Sequence, residues 1–186
     1  MNRKIAIAAK LALAAGLLAG LNACASSADP HAMALSEPAA ATAKPFPQPL
    51  MHAMCVRAVT GGEETNPMWV SKVDNNGFKS ALVTSFDSAG LLSSADATTC
   101  PFPVDVNLLG LSQPSMGFDM TVTSHVNYKV YDAGGSPFLL ATIDAPFTAT
   151  MSDAFAGVER LKKANEGSIR KSISLFFDKL RDSNPK

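Results

Sequence analysis

Apolar positions in this chain follow two periods, and the change from one to the other marks out the elements. Met54 to Val59 reads as a short strand with Val56 and Ala58 on one face, ended by Gly61-Gly62. Phe78, Ala81, Leu82, Phe86 and Ala89 then recur at the spacing of a helix with one buried stripe. Asn75 or Asn76 stands where a cap belongs. Gly90 stands where a helix ends in a left-handed residue, with Leu91 placed to pack back on the last turn.

Three strands follow. Val104 to Leu111 puts Val106 and Leu108 on one face. Phe118 to Tyr131 alternates, with Phe118, Met120, Val122, Val126, Tyr128 and Val130 inward and Thr121, Thr123, His125, Asn127 and Lys129 outward. Asp132-Ala133-Gly134-Gly135-Ser136 reads as a hairpin turn. Leu139 to Met151 answers it with Leu139, Ala141, Ile143, Ala145 and Phe147 inward and Thr142, Asp144, Thr148 and Thr150 outward. Pro146 marks this strand as an edge or as bulged.

Ser152 or Asp153 caps a last helical region. Its core positions are Phe155 and Val158, then Ile169, Ile173, Phe176 and Leu180. Lys162 and Asn165 fall on the same stripe and Gly167 follows, so a break or an overhang of the first half is expected there. An inward-facing polar site is the functional alternative. The order β-α-β-β-β-α predicts an α+β two-layer sandwich: about four strands, mainly antiparallel, with two helices on the apolar face and an open, threonine-rich face opposite.

The remaining N-terminal third has neither period. Arg3, Lys4 and Lys10 precede the apolar run Leu11 to Leu21, which ends in Leu21-Asn22-Ala23-Cys24. A basic start, a short apolar stretch and small residues at the end form a bacterial export signal over 1–23. The run is about half of the ~20 residues a bilayer span needs. The cysteine gives the signal the form of a lipoprotein signal, with Cys24 acylated by palmitate-like chains and anchoring the mature protein. Ala25 is not the aspartate that retains such proteins at the inner membrane, which points to the outer membrane, facing the periplasm. Asn22 departs from the usual pattern, and Ala23-Cys24-Ala25 also fits ordinary cleavage, which would release a soluble periplasmic protein. Residues 24–53 are rich in Ala, Ser and Pro, and the expected form is a flexible tether, extended at Pro45-Phe46-Pro47-Gln48-Pro49. Residues 54–182 make a single domain.

Charge and cysteines narrow the setting. The chain has 16 Lys+Arg against 16 Asp+Glu, and no basic block follows the signal, so no nucleic-acid partner is expected. With Cys24 used or removed at export, Cys55 and Cys100 remain. In an oxidising compartment they suggest one disulfide, since adjacent strands would bring them together; two separate buried thiols are the other reading.

Catalytic patterns are missing. The three histidines, His31, His52 and His125, have no metal-ligand spacing, no nucleophile elbow is present, and Gly61-Gly62-Glu63-Glu64-Thr65 lacks the end of a phosphate loop. The expectation is no cofactor, no metal and no enzymatic activity. Two surfaces stand out as partner contacts: the loop with Asn66, Met68 and Trp69, and the open strand face with His125, Asn127 and Lys129.

Gly61-Gly62-x-x-Thr65-Asn66-Pro67, Phe78-Lys79-Ser80-Ala81-Leu82, Gly117-Phe118-Asp119-Met120-Thr121-Val122 and Ser152-Asp153-Ala154-Phe155 through Ala164-Asn165-Glu166-Gly167 together resemble a group of small, uncharacterised proteobacterial envelope lipoproteins. In outline the chain is similar to the YajG-like lipoproteins and to the lipoprotein of the lipopolysaccharide-assembly machinery. The resemblance implies a small sheet backed by two helices and an accessory role. The expected function is a lipid-anchored interaction module of an envelope complex. The alternative is a periplasmic carrier that holds a lipid or other small apolar ligand between helices and sheet.

Overall fold

The computed structural model describes residues 25–35, 44–66, 70–96 and 99–185. The strands β1 (Met54–Thr60), β2 (Phe102–Ser112), β3 (Met120–Tyr131) and β4 (Pro137–Ala149) form one sheet in that order. β1 and β2 are parallel, and the other neighbours are antiparallel. The helices are α1 (Pro30–Met33), a single turn, then α2 (Asn75–Ser88) and α3 (Gly157–Arg181). The α+β two-layer sandwich is therefore as expected, with α2 as the crossover that a parallel pair requires.

The core lies between the sheet and the helices. Val104, Val126, Tyr128 and Val130 meet Phe78, Leu82 and Phe86 of α2 and Ile169, Ile173 and Phe176 of α3. Tyr128 stacks on Phe176 with ring centroids 4.2 Å apart, and its hydroxyl lies 2.9 Å from Ser172 Oγ. Burial pushes the Tyr128 phenol pKa up, and the Ser172 bond opposes this. Cys55 and Cys100 form the disulfide, with Cα atoms 6.3 Å apart. Pairing of Met54 with Phe102 and of Cys55 with Pro103 brings them together.

Local differences from the sequence pattern have local causes. The cap of α2 is Asp74, which accepts from Gly77 N at 2.8 Å; Asn75 Oδ1 instead accepts from Gly62 N. Gly90 ends the helix at φ +68°, and the buried Leu91 donates its N–H to Phe86 O, as the pattern predicts. Register shifts at Val56/Ala58 and Leu108/Gly110 change which side chains face the core. Val59, not Ala58, packs inward, and Leu109 is exposed. Phe118 and Phe155, both expected inward, are 82% and 87% exposed because β3 starts at Met120 and α3 at Gly157.

The last helix neither breaks nor overhangs. α3 runs unbroken from Gly157 to Arg181. Its first half packs through Leu161 and Ala164 on Met120, Val122 and Ala149. Gly167 does not end the helix but allows close approach. A Cβ there would lie 2.3 Å from Phe147 Cδ1. Period searches that count large apolar residues miss this stripe, because Ala164, Gly167, Ser168 and Ser172 build it.

The described part of 24–53 is not a free tether. α1 packs against both α2 and α3, which meet each other where Phe86 packs on Phe176 and Phe177, and residues 25–35 wedge between the two helices beyond that contact. Met33 is fully buried, Asp29 N donates to Glu166 Oε1 at 2.8 Å, and Ala32 O accepts from Arg170 Nη1 at 2.7 Å. Phe46 meets Phe177 edge-on with Arg181 4.4 Å from its ring, and Leu50 is fully buried. These few apolar residues cannot fold alone, but each finds a vacancy beside the helices. Residues 1–24 and 36–43 lie outside the described residues.

Two stability predictions follow from this packing. Met33→Ala should cost about 2–5 kcal/mol in urea denaturation, whereas a free tether would tolerate it unchanged. Gly167→Ala should cost about 1–3 kcal/mol by crowding Phe147. In a Phe147→Leu background the same change should turn neutral or favourable, a coupling that a double-mutant cycle reads directly.

Candidate functional site

The open face of the sheet gathers polar side chains from all four strands. At one end the guanidinium of Arg57 binds both oxygens of Asp105, with Nε 2.8 Å from Oδ1. Its Cζ lies 4.4 Å from the centre of the Tyr131 ring, and Lys129 Nζ lies 5.0 Å from that same centre. The hydrogen bonds from Arg57 hold the Asp105 carboxyl below the usual carboxylate range, and the arginine pKa is raised in turn. A shallow recess of about 230 Å³ beside this cluster is bordered by Thr60, Asn107, Asn127 and Lys129.

Toward the other end, His125 bridges three strands. Its Nδ1 is 2.7 Å from Asp144 Oδ1 on β4, and its Nε2 is 3.0 Å from Ser112 Oγ on β2. These three residue types touch in the order of a nucleophilic triad. Such a triad acts where water is excluded and donors converge on an oxyanion. Here Ser112 is exposed and the Asp144 side chain is 67% accessible, the setting of a cross-strand polar ladder. Asn127 Nδ2 extends the ladder to Thr142 Oγ1 at 3.1 Å.

His125, Asn127 and Lys129 therefore stand together on the open face, as the alternation of β3 implies. Met68 and Trp69 lie outside the described residues, and Asn66 lies in an exposed loop after β1. The Arg57–Asp105 pair is not visible in the pattern because it depends on β1 lying beside β2 in a particular register.

A second polar group lies between α3 and the rest of the domain. Asn165 is fully buried: its Oδ1 accepts from Gln113 Nε2 at 2.8 Å and its Nδ2 donates to Ser71 O at 2.9 Å. Ser168 Oγ accepts from Ser124 N and donates to Ala145 O, which ties β3, β4 and α3 together. The inward polar positions are thus bonded, as burial demands. Next to them Glu166 is nearly buried, with Lys162 Nζ 3.9 Å away. Burial raises its pKa above the usual glutamate value, opposed by the bond from Asp29 N and by Lys162.

Arg160 forms a third junction. Its Nη1 donates to Ala154 O and Phe155 O, and its Nη2 donates to Gly117 O at 3.2 Å. One buried guanidinium thus holds the β2–β3 and β4–α3 connections side by side.

No family model and no curated protein matches this chain. Among solved structures, a candidate lipoprotein from Caulobacter crescentus is similar at 12% identity and a TM-score of 0.42, over 72% of this chain and 91% of that one. A Xanthomonas campestris protein of the DUF330 family model is similar at 10% identity and a TM-score of 0.43, over 75% and 90% of the two chains. A hypothetical protein from Chlamydia trachomatis shows 11% identity and a TM-score of 0.44, over 69% and 90%.

Glu166 has a testable pH signature. Its folded pKa exceeds its unfolded one, so its contribution favours folding most at pH values below both and declines as pH rises through the folded pKa. Glu166→Gln can keep the acceptor for Asp29 N and removes the titration. Relative to the parent, the variant should gain stability in urea denaturation as pH is taken from about 4, near the unperturbed glutamate value, upward to about 7. An equal difference at both pH values would remove burial as the cause.

Proposed function

We propose that this chain is a lipid-anchored bacterial envelope protein, acylated on Cys24 and held at the outer membrane, and that its domain is a non-catalytic accessory or interaction module of an envelope protein complex. The observation that carries this reading is the run from Arg3 to Leu21 ending in Leu21-Asn22-Ala23-Cys24. The paired Cys55 and Cys100 support export, because such a bond persists in an oxidising compartment. Among the described residues no helix is long and apolar enough to cross a membrane, so on this reading the lipid is the anchor. The partner would meet the open face at His125, Asn127 and Lys129, with Asn66, Met68 and Trp69 contributing from the loop. The carrier alternative needs space between helices and sheet, where Tyr128, Phe86, Phe176 and Phe177 pack ring against ring.

Mass spectrometry of the membrane-extracted protein should find Cys24 as the acylated N-terminus, and Cys24→Ala should move the protein to the soluble fraction. An N-terminus after Ala25 would overturn anchoring. A photo-crosslinker at Asn127 should capture one recurring envelope protein in intact cells; repeated recovery of none would overturn the interaction role.

A further inference from the structure

We infer that the end of the domain carrying Met116, Phe118 and Phe155 rests in the membrane that holds the Cys24 lipid, so that the domain is seated on the bilayer and not held away from it. This rests on the lipid anchor proposed above. The three side chains are 84%, 82% and 87% exposed, among the most accessible large apolar groups described. They do not belong to one element. Met116 and Phe118 flank Gly117 on the β2–β3 connection, and Phe155 precedes α3. The Arg160 guanidinium gathers them by binding Gly117 O and Phe155 O together, at 3.2 and 2.7 Å. A buried arginine thus holds two loops whose apolar tips face solvent. The exposed tips themselves bury no apolar surface in the fold and make an apolar prow.

The course of the N-terminal segment says what covers it. Residues 25–35 run beside α3 in the same direction: Ala32 O meets Arg170, and Asp29 N meets Glu166 one turn earlier. Further back, Ala28 N donates to Lys72 O. The adjoining Ser71 O accepts from Gln113 Nε2, three residues before Met116. Continued along that course, the segment leads toward the Arg160 end of the helix, and Ala25, the residue after Cys24, is already buried. Ala25 adjoins Cys24 in the sequence, so an acyl chain on that cysteine would be joined to the domain with no free spacer between. Asp119, Asp153 and Glu159 are exposed around this end and outnumber Lys163, which faces Asp153, so contact is apolar and not an attraction to anionic headgroups.

The test uses the mature acylated protein in phosphatidylcholine vesicles with brominated acyl chains, which quench only tryptophans in contact with lipid. Phe118→Trp and Phe155→Trp are compared with Leu140→Trp, at a 65% exposed position about 30 Å along β4 from Ala149. Parent emission from Trp69, the one native tryptophan, is subtracted. Brominated lipid should quench the added emission of the Phe118→Trp and Phe155→Trp variants by about twofold or more and leave that of Leu140→Trp unchanged, as an apolar group at the acyl boundary requires. Unquenched tip variants on acylated protein would overturn the seat and leave the anchor intact. The mass of each preparation is read in parallel; an unacylated Cys24 would overturn the anchor and the seat with it.

Discussion

The domain depends on a gap. Two helices lie on a four-stranded sheet and meet through Phe86, Phe176 and Phe177, and the segment 25–35 fills the space left between them. Met33 supplies the buried volume, while Asp29 and Ala32 supply backbone groups for Glu166 and Arg170. The chain at 25–35 is therefore part of the fold. A stretch poor in apolar residues cannot form a core of its own, yet it can complete one whose other walls already exist.

α3 sets the second constraint. It lies so close to the sheet that Gly167 faces the ring of Phe147 and the Ser168 hydroxyl joins two strands. Close approach demands small residues, and small polar residues brought that close must be bonded. The inward Asn165 follows from this geometry: it secures Ser71 and Gln113 near the end of β2. With one face of the sheet consumed by packing, the polar ladder of Arg57, Asp105, His125, Asn127 and Asp144 is left on the other.

Much of this was legible. The alternation of β3 and β4, the stripe of α2 and the place of Gly90 are local patterns that burial on one face enforces. The disulfide was legible as an expectation from two cysteines at the starts of neighbouring strands. Phe118 and Phe155 were misread because an aromatic at the edge of a periodic run carries the same phase whether the element reaches it or stops short. Ala58 was misread because a bulge adds one residue to a strand without leaving a mark in its composition. The continuity of α3 was missed because its stripe is written in Ala, Gly and Ser, whose small side chains signal proximity only when a partner surface is present.

By itself the sequence determined the class of elements, their order and most of the buried faces, since each depends on residues within a few positions of one another. The tertiary structure alone decided that the supposed tether is a wedge, that Arg160 joins two distant loops, and that Ser112, His125 and Asp144 meet. Those outcomes depend on which surfaces arrive opposite each other, and a linear pattern of apolar and polar residues does not encode that distance.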